Sequence, residues 1–480
     1  MFKKILIANR GEIALRIVRA CKEMGIAAVT IHSEADRFAL HVKRASHSHC
    51  LSKKPLEAYL NGRRIIECAK AAGCEAIHPG YGFLSENPEF AKDCEDAGIV
   101  FIGPSSAVIA AMGSKVAARD AMQKANIPTI PGSDGNLETT DEAVACAQKL
   151  GYPVLLKATF GGGGRGIRLC HDDTQVKQQF ARVQSEAEKA FGNAHVYMEQ
   201  FIVNPRHIEV QILADHHGNV VHLFERDCSV QRRHQKLVEI APSPLLDDAT
   251  RQLLFDYAVR AAQQVGYTNA GTVEFILDQQ NQAYFMEMNT RLQVEHPVTE
   301  QITGIDIVQE QIRIAYGEKL AMTQKEIMHR GYAIEFRINA EDPQNDFLPS
   351  FGRITRYYAP GGPGVRTDSA IYTGYSIPPD YDSLCAKLTV WALDWPSVLR
   401  RARRALEEMR MFGVKTTIPY YLEMIQSTEF KEGKLTTNLV EEHPEWLRYS
   451  NKSLPQHKAA VIAAAISMYS QKQGIGKDSI

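Results

Sequence analysis

The chain has 480 residues, enough for about two to four compact domains, and its formal net charge of −1 offers no general attraction to nucleic acid or to an anionic membrane. The nine cysteines are odd in number and include no Cys-x-x-Cys pair, which disfavours a disulfide framework or a zinc site and favours reduced thiols in a cytoplasmic protein. The longest apolar run, residues 459–469, is far shorter than the roughly 20 residues that cross a bilayer, and the apolar run near Met1 is too short for a signal peptide.

Strands and helices alternate over residues 1–113, which predicts an α/β domain with a mainly parallel, Rossmann-like sheet. The expected strands span residues 5–8, 27–32, 76–77 and 100–102. The expected helices start at Gly11 and span residues 62–72 and 88–97. The turn at residues 8–12 lacks the glycine fingerprint of a dinucleotide site, so we interpret the domain as a scaffold.

Two short features follow in this region. Residues 78–83 form a turn-rich loop at the carboxyl end of a strand, where open α/β sheets bind ligands, although a plain turn is an equal alternative. A helix is expected within residues 114–135, followed by a Pro/Gly-rich linker. Lys115 lies at its start, and taken alone it is a surface lysine.

A glycine-rich segment, residues 161–166, separates the expected strands 154–158 and 167–169. Gly161, Gly163 and Gly166 match the G-x-G-x-x-G spacing, but a strand follows them instead of a helix, and Gly-Lys-Ser/Thr is missing. A hairpin whose tip covers phosphates with backbone N–H groups fits better, with Lys157 adding positive charge. A flexible hairpin tip without function is the alternative.

Polar residues mark the next two strands. Strands are expected over residues 196–202 and 207–213, and His207, Glu209 and Gln211 share one face of the second, an alternation that a half-buried sheet would explain without chemistry. Residues 226–236 then form a basic cluster, either a solvated charge run or an anion site. Its isolation between apolar strands in a neutral protein favours the anion site.

The densest group of candidate residues is segment 287–297. The run before it and residues 272–277 predict a β-hairpin, which would bring Glu274 close to Glu287 and Asn289. Carboxylate and amide oxygens at a strand end suit Mg²⁺ completed by nucleotide phosphates. Arg291 and Glu295 follow in a loop, where they could hold an anion and remove a proton. A solvated hairpin edge is the alternative.

The last part of the chain predicts an α+β domain and a tail. Arg337 lies on an expected strand, residues 333–338. An amphipathic helix starts at Ser397, with an inward face and a solvated arginine face. The inward positions are 398, 402, 405, 409 and 412, and the arginines are 400, 401, 403 and 404. Residues 459–473 are expected to form a helix whose stripe, positions 461–469, docks onto another protein of the complex or packs on its own domain.

Taken together, these motifs closely resemble the biotin carboxylase components of biotin-dependent carboxylases, which are ATP-grasp enzymes, over about residues 1–446. The resemblance rests on segments 7–14, 78–87, 161–166, 287–296 and 337–342. It implies a Rossmann-like (pre-ATP-grasp) domain over residues 1–113, an ATP-grasp domain over 114–330 with a lid at about 132–203, a C-terminal α+β domain over 331–446 and a tail over 447–480. ATP would bind between these domains.

The resemblance also implies residue roles. The expected nucleotide ligands are Lys115, Lys157, Gly163, Gly164, Glu199, Gln200, Phe201, Ile202, His207, Gln231 and His234. Glu274, Glu287 and Asn289 are expected to hold Mg²⁺ or Mn²⁺. The expected bicarbonate ligands are Lys236, Arg291, Gln293, Val294 and Glu295, with Glu295 as base. Biotin is expected to meet Tyr81, Gly82 and Arg337, with Arg337 stabilising its enolate.

The implied function is ATP- and bicarbonate-dependent carboxylation of biotin on a carrier protein, through carboxyphosphate. The sequence has no biotin-bearing Ala-Met-Lys-Met motif, so the carrier and the carboxyltransferase are expected on separate chains, and the protein itself is expected to form a homodimer. Phe160 and the tail resemble pyruvate-carboxylase-type subunits, while acetyl-CoA or another acid stays open as acceptor. Gln200 replaces a lysine common in relatives, with little effect expected. Another ATP-grasp carboxylate–amine ligase and a non-catalytic nucleotide-binding scaffold are the alternatives.

Overall fold

The N-terminal part of the chain is built on a parallel sheet. The computed structural model describes residues 1–158, 167–191, 194–449 and 462–469. The strands are β1 (Lys4–Ile7), β2 (Ala27–Ser33), β3 (His47–Ser52), β4 (Ala76–His78) and β5 (Val100–Phe101). The helices are α1 (Gly11–Glu23), α2 (Leu40–Arg44), α3 (Glu57–Leu60), α4 (Gly62–Ala71), α5 (Pro88–Asp96) and α6 (Ser106–Gly113), with a 3-10 turn at Glu34–Asp36. The strand order is β3-β2-β1-β4-β5 and every pair is parallel, which confirms the predicted Rossmann-like sheet.

A small antiparallel sheet with two helices forms the next unit. Its elements are α7 (Lys115–Lys124), α8 (Thr140–Leu150), β6 (Val154–Ala158), β7 (Ile167–Cys170), α9 (Asp173–Phe191) and β8 (Val196–Gln200). The sheet order is β7-β6-β8, and Val154, Leu156 and Met198 pack against Val176 and Phe180 of α9. Strands β6 and β7 pair antiparallel, so they form the two arms of the predicted hairpin. The glycine tip itself lies outside the described residues.

The centre of the molecule is a larger antiparallel sheet. Its first strands are β9 (Arg206–Ala214), β10 (Val220–Arg232), β11 (Gln235–Ala241), β12 (Asn269–Leu277) and β13 (Ala283–Asn289). The helices of this region are α10 (Asp248–Gln264), α11 (His296–Thr303) and α12 (Ile307–Tyr316), with a 3-10 turn at Gln324–Glu326. Helix α10 covers one face of the sheet, where Leu254 and Ala258 join a core with Val210 and Val273.

The C-terminal part extends the same sheet. Its strands are β14 (Tyr332–Asn339), β15 (Glu341–Asp342), β16 (Leu348–Pro349), β17 (Gly352–Arg353), β18 (Arg356–Tyr358), β19 (Val365–Ser369), β20 (Ser376–Ile377), β21 (Leu384–Ala392) and β22 (Arg410–Phe412). Its helices are α13 (Trp395–Glu408), α14 (Ile418–Met424), α15 (Thr428–Glu432) and α16 (Leu439–Glu442), with 3-10 turns at Pro343–Asn345 and Pro444–Arg448. The eight-stranded order is β13-β12-β9-β10-β11-β14-β21-β19, so the sheet crosses the expected boundary at 330/331 through the β11–β14 pair.

Several local predictions need correction. Leu253, predicted on the inward stripe of α10, is 39% exposed, and Phe412 lies on β22 beyond the end of α13. The inward face of α13 is otherwise as predicted, because Val398, Ala402 and Ala405 are buried. In the tail, residues 462–469 are helical with exposed side chains, whereas Val461 lies outside the described residues.

Two classes of feature bear on the setting of the protein. In the part of the chain that the structure describes, no helix is both long enough and apolar enough to span a membrane. Each of the nine cysteines is a free thiol.

Candidate active site

A cleft of about 1430 Å³ lies between the N-terminal sheet, the small sheet and the large sheet. Nearly all of the residues predicted for the site line it together. They are Tyr81, Gly82, Lys115, Lys157, Glu199, Gln200, Phe201, Ile202, His207, Gln231, His234, Lys236, Glu274, Glu287, Asn289, Arg291, Gln293, Val294 and Arg337. Glu295 does not line the cleft, and Gly163 and Gly164 lie outside the described residues.

The predicted hairpin forms one wall of the cleft. Glu274 on β12 lies directly opposite Glu287 on β13, and the Asn289 amide donates to Glu274 Oε1 at 2.8 Å. Burial first and the nearby Glu274 charge second raise the pKa of Glu287. The predicted convergence of two carboxylates and an amide is therefore present, and a carboxylate disfavoured in its charged form is one that a divalent cation would relieve.

Lys236 lies at the centre of an acidic cluster beside this hairpin. Its ammonium contacts Glu209 at 2.6 Å, Glu274 at 3.0 Å and Glu295 at 2.7 Å. Burial alone would lower the pKa of Lys236, but the three carboxylates raise it well above its usual value. A permanently charged ammonium at this position compensates carboxylates that would otherwise repel each other, and it is a fixed positive group beside the cleft.

The predicted basic cluster 226–236 separates into two parts. Arg226 is completely buried and pairs with Glu209 at 2.5 Å, so it stabilises the sheet instead of facing a ligand. Arg232 and Arg233 lie at the cleft mouth and pair with Asp346. Within the cluster, Lys236 is thus the cation that reaches the interior of the cleft, supported by Arg226 through their shared partner Glu209.

The polar face of β9 is buried and not solvated, so the half-buried sheet is the wrong explanation. His207, Glu209 and Gln211 are all buried because β9 lies between β10 and β12. The Gln231 amide lies 2.7 Å from His207 Nδ1, and His207 Nε2 lies 2.8 Å from Glu274 Oε2. If the Gln231 N–H donates to Nδ1, the ring proton is on Nε2 and faces Glu274.

Glu295 lies one layer behind the cleft surface and is completely buried. Lys236 contacts one carboxylate oxygen at 2.7 Å and an Arg337 Nη2 contacts the other at 3.0 Å. Burial alone would raise the pKa of Glu295, but Lys236, Arg337 and Arg226 hold it well below its usual range. The predicted base is therefore adjacent to the cleft and covered by two of the predicted ligands.

The two predicted arginines of the site are each held by a carboxylate. Arg337 Nε contacts Glu239 at 2.5 Å, and burial, aided by the nearby Glu295 charge, raises the pKa of Glu239 to about 7. Arg291 Nε contacts Glu86 at 2.7 Å, and its other nitrogens donate to Asn289 Oδ1 at 3.0 Å and Gln293 Oε1 at 3.1 Å. Arg291 thus connects the hairpin end with the loop that follows it.

The predicted nucleotide residues lie at the opposite side of the cleft. Ser114 caps α7 and fixes its start, which puts Lys115 at the first helical position. Burial and the neighbouring Lys157 charge lower the pKa of Lys115. The Lys157 ammonium contacts the Glu199 carboxylate across β6 and β8. The backbone N–H groups of Gln200 and Phe201 are engaged by Pro131 O at 2.8 Å and Pro153 O at 3.0 Å.

Two further charged residues close the site from behind, and sequence reasoning missed both. The Tyr81 hydroxyl donates to Glu12 of α1, and Lys387 of β21 lies 3.3 Å from the other Glu12 oxygen. Lys387 also donates to the Val294 carbonyl at 2.8 Å. A lysine inside the apolar strand Leu384–Ala392 was the signal that could have revealed it, since buried lysines require partners.

Two groups of metal-ligating type occur among the described residues, His207 with Glu209 and Glu274, and Glu209 with Cys228 and Glu295. Both include carboxylates that the Lys236 ammonium already contacts. The positive charge at that position disfavours a metal ion there, so the opening between Glu287, Glu274 and Asn289 is the part of the site that fits Mg²⁺.

Comparisons with known proteins agree over most of the chain. Residues 1–109 match the family described as biotin carboxylase, N-terminal domain, and residues 335–442 match the biotin carboxylase C-terminal domain. Residues 114–323 match the family described as carbamoyl-phosphate synthase L chain, ATP binding domain.

Individual relatives are similar along their whole length. The chain is 52% identical to the 2-oxoglutarate carboxylase small subunit of Hydrogenobacter thermophilus, covering 98% of this chain and 99% of that protein. It is 55% identical to a biotin carboxylase of Nostoc over 92% of this chain and 99% of that protein. It is 49% identical to a pyruvate carboxylase subunit of Methanothermobacter thermautotrophicus over 98% and 99%.

Solved structures have the same fold. The biotin carboxylase domain dimer of the Hydrogenobacter enzyme, in complex with MgADP, ADP and bicarbonate, superposes with a TM-score of 0.91 at 53% identity, covering 94% of this chain and all of that one. A Campylobacter jejuni biotin carboxylase complex superposes with a TM-score of 0.90 at 48% identity, covering 92% and 99%.

Proposed function

The chain belongs to the biotin carboxylase family, and we propose that it uses ATP and bicarbonate to carboxylate biotin held on a carrier protein, with the described cleft as its active site. The observation that carries the proposal is the convergence of a hairpin carboxylate pair, Glu274 and Glu287, with Lys236 and Arg291 in one cleft. This combination provides a place for Mg²⁺ and nucleotide phosphates next to fixed cations that suit a small anion.

The first chemical step is the attack of bicarbonate on ATP. Lys236 and Arg291 bind the anion, and Glu295 takes its proton once bicarbonate has displaced a cation from that carboxylate. A bicarbonate oxygen then forms a bond to the γ-phosphorus while the bond to the ADP oxygen breaks, which yields carboxyphosphate. Mg²⁺ held by Glu274, Glu287 and Asn289 supplies charge neutralisation for the transferring phosphoryl group.

The second step transfers the carboxyl group to biotin. Carboxyphosphate separates into CO₂ and phosphate, phosphate takes the N1′ proton of biotin, and the resulting ring nitrogen attacks CO₂. Arg337 stabilises the negative charge on the ureido oxygen, and Tyr81 and Gly82 form the neighbouring wall. The Arg337 charge is partly used by Glu239 and Glu295, so its enolate contact requires a shift toward the cleft.

Adenine binding falls to the segment after β8. Because the N–H groups of Gln200 and Phe201 are engaged within the chain, the Gln200 carbonyl and the Ile202 N–H are the groups we assign to the adenine edge. Glu199 binds the adenine amino group, and Lys157 exchanges Glu199 for a phosphate when ATP is present. His207, Gln231 and His234 line the same site, and Gly163 and Gly164 of the glycine loop cover the phosphates.

The protein functions as a biotin carboxylase subunit with a carrier partner. We propose that the carrier and the carboxyltransferase are separate chains, that two copies of this subunit form a homodimer, and that the complex is cytoplasmic. We also propose a 2-oxo acid as final acceptor. Support comes from the tail, since two relatives named for 2-oxoglutarate or pyruvate carboxylation match 98% of this chain, whereas the Nostoc biotin carboxylase matches 92%.

The test is carboxybiotin formation by the purified protein with ATP, Mg²⁺, bicarbonate and free biotin. We expect slow phosphate release from ATP with bicarbonate alone and faster release when biotin is added. In Arg337→Gln, bicarbonate-dependent phosphate release should persist, while carboxybiotin formation falls by roughly 10²–10³, the usual cost of losing one charge-stabilising donor. Absence of carboxybiotin with the wild-type protein would refute the proposal and favour another ATP-grasp ligase.

A further inference from the structure

We propose that Lys387 is a positioning residue that holds the bicarbonate loop, residues 290–295, in register with the biotin-facing Tyr81. The proposal rests on the proposed function for the identity of the two substrates. It goes further by assigning a role to a residue on β21, which does not line the cleft.

The first contact joins Lys387 to the bicarbonate loop. The side chain has no exposed surface, and its ammonium donates to the Val294 carbonyl at 2.8 Å. Val294 and its neighbour Gln293 both line the cleft, and the Gln293 amide donates to Glu274 at 2.9 Å. The backbone of the loop is therefore fixed from behind by Lys387 and at the cleft surface by the hairpin.

The second contact joins Lys387 to the N-terminal domain. Glu12 of α1 is 6% exposed and lies 3.3 Å from the Lys387 ammonium. The other Glu12 oxygen accepts the Tyr81 hydroxyl proton, so the hydroxyl is turned away from the cleft and the ring position is fixed. One buried ammonium thus holds groups from three separate parts of the chain.

Charge explains why a lysine is needed at this position. Burial raises the pKa of Glu12, and Lys387 counteracts that rise. Without the ammonium, Glu12 would be a buried carboxylate without a cation, and the Val294 carbonyl would lose its donor. A neutral side chain of the same length would fill the space but provide neither function, so Lys387→Met is the informative change.

The experiment compares Lys387→Met with the double variant Lys387→Met/Glu12→Gln in the full-length protein. The double variant removes both charges, so it separates the cost of an unpaired buried carboxylate from the loss of positioning. Lys4→Met is the matched control, because Lys4 also donates to a backbone carbonyl, that of Ala72 at 2.7 Å, but lies outside the cleft lining.

We expect Lys387→Met to raise the KM for both bicarbonate and biotin, with kcat/KM for biotin falling by about 10²-fold, the scale of a displacement of about 1 Å. The KM for ATP should stay constant. The double variant should recover thermal stability yet keep the raised KM for bicarbonate. Amide hydrogen exchange of residues 290–295 should accelerate in both variants and remain at the wild-type rate in Lys4→Met.

Three results would overturn the inference: wild-type KM values in Lys387→Met, recovery of both KM values in the double variant, or unchanged exchange of the loop. The double variant carries the test if Lys387→Met alone does not fold. An inactive wild-type protein would refute the proposed function, whereas the exchange measurement would still decide the role of Lys387.

Discussion

Glu295 has both carboxylate oxygens engaged by Lys236 and Arg337, and this arrangement determines how it can act as a base. With its pKa held well below the usual range, Glu295 has little tendency to accept a proton. Bicarbonate that draws Lys236 toward the cleft would remove part of that stabilisation and raise the proton affinity of the carboxylate. Binding of the anion and activation of the base are therefore one event.

The first prediction concerns Glu295→Gln. We expect bicarbonate-dependent phosphate release to fall by roughly 10²–10⁴, the usual contribution of a general base, while the affinity for ATP stays constant. Phosphate release and ATP binding are measured on the same preparation. Glu225→Gln is the matched control, because Glu225 is equally buried and pairs with Arg251 outside the cleft, so it should lower stability but leave kinetics intact. Wild-type activity in Glu295→Gln would exclude Glu295 as base.

A second prediction concerns acid stability. Burial lowers the pKa of His222, which stacks on Phe255, to about 4. The unfolded side chain takes up a proton below pH ~6.5 and the folded one only near 4, so this group destabilises the fold by about 1.4 kcal/mol per pH unit in that window. Compared with His222→Gln, the wild-type midpoint of urea unfolding should fall more steeply from pH 6.5 to pH 5. Parallel midpoints would contradict the assignment.

At the scale of elements, the β12–β13 hairpin carries the site because strand alternation and antiparallel register bring Glu274 and Glu287 together. That juxtaposition could be predicted from two neighbouring segments. The three-way contact of Lys236 with Glu209, Glu274 and Glu295 could not, because those residues come from four different segments of the sheet and its following loop. Glu12 and Lys387 were missed for the same reason, since they meet across 375 positions of sequence.

Strand β3 illustrates the limit for fold prediction. It is an edge strand of the N-terminal sheet, and residues 47–50 have exposed side chains, so the apolar pattern that predicted β1 and β2 is absent. Strand β9 illustrates the opposite error, because polar residues that alternate like a solvated face are buried between two neighbouring strands. Local patterns therefore predict which segments form strands better than they predict what covers them.

The third prediction tests the hairpin as a metal site. Glu287→Gln removes one charged oxygen ligand, so the Mg²⁺ concentration for half-maximal activity should rise by about tenfold or more. Glu86→Gln is the control, because Glu86 pairs with Arg291 next to the hairpin and should alter the KM for bicarbonate without altering the Mg²⁺ requirement. Equal Mg²⁺ curves for Glu287→Gln and the wild type would remove Glu287 from the metal site.

For the whole molecule, the eight-stranded sheet joins the central and C-terminal parts through the β11–β14 pair. Arg337 on β14 therefore keeps a fixed distance to Lys236 on β11, while the small sheet β7-β6-β8 is a separate layer. The groups that we assign to bicarbonate and biotin lie on one rigid platform. The groups assigned to the adenine edge lie at the end of β8, on the other layer.

The last prediction concerns the tail. Residues 462–469 form a helical segment in which Ile462 is 58% and Ile466 is 61% exposed, a spacing that gives an apolar stripe. Apolar side chains this exposed favour docking on another protein of the complex, and the matched relatives that share the tail are named as subunits of larger carboxylases. Deletion of residues 451–480 should leave carboxylation of free biotin unchanged and reduce co-purification with the transferase-bearing chain. Ile462→Glu/Ile466→Glu should reproduce that loss without changing chain length. A lower thermal midpoint with intact co-purification would instead mean that the segment packs on its own domain.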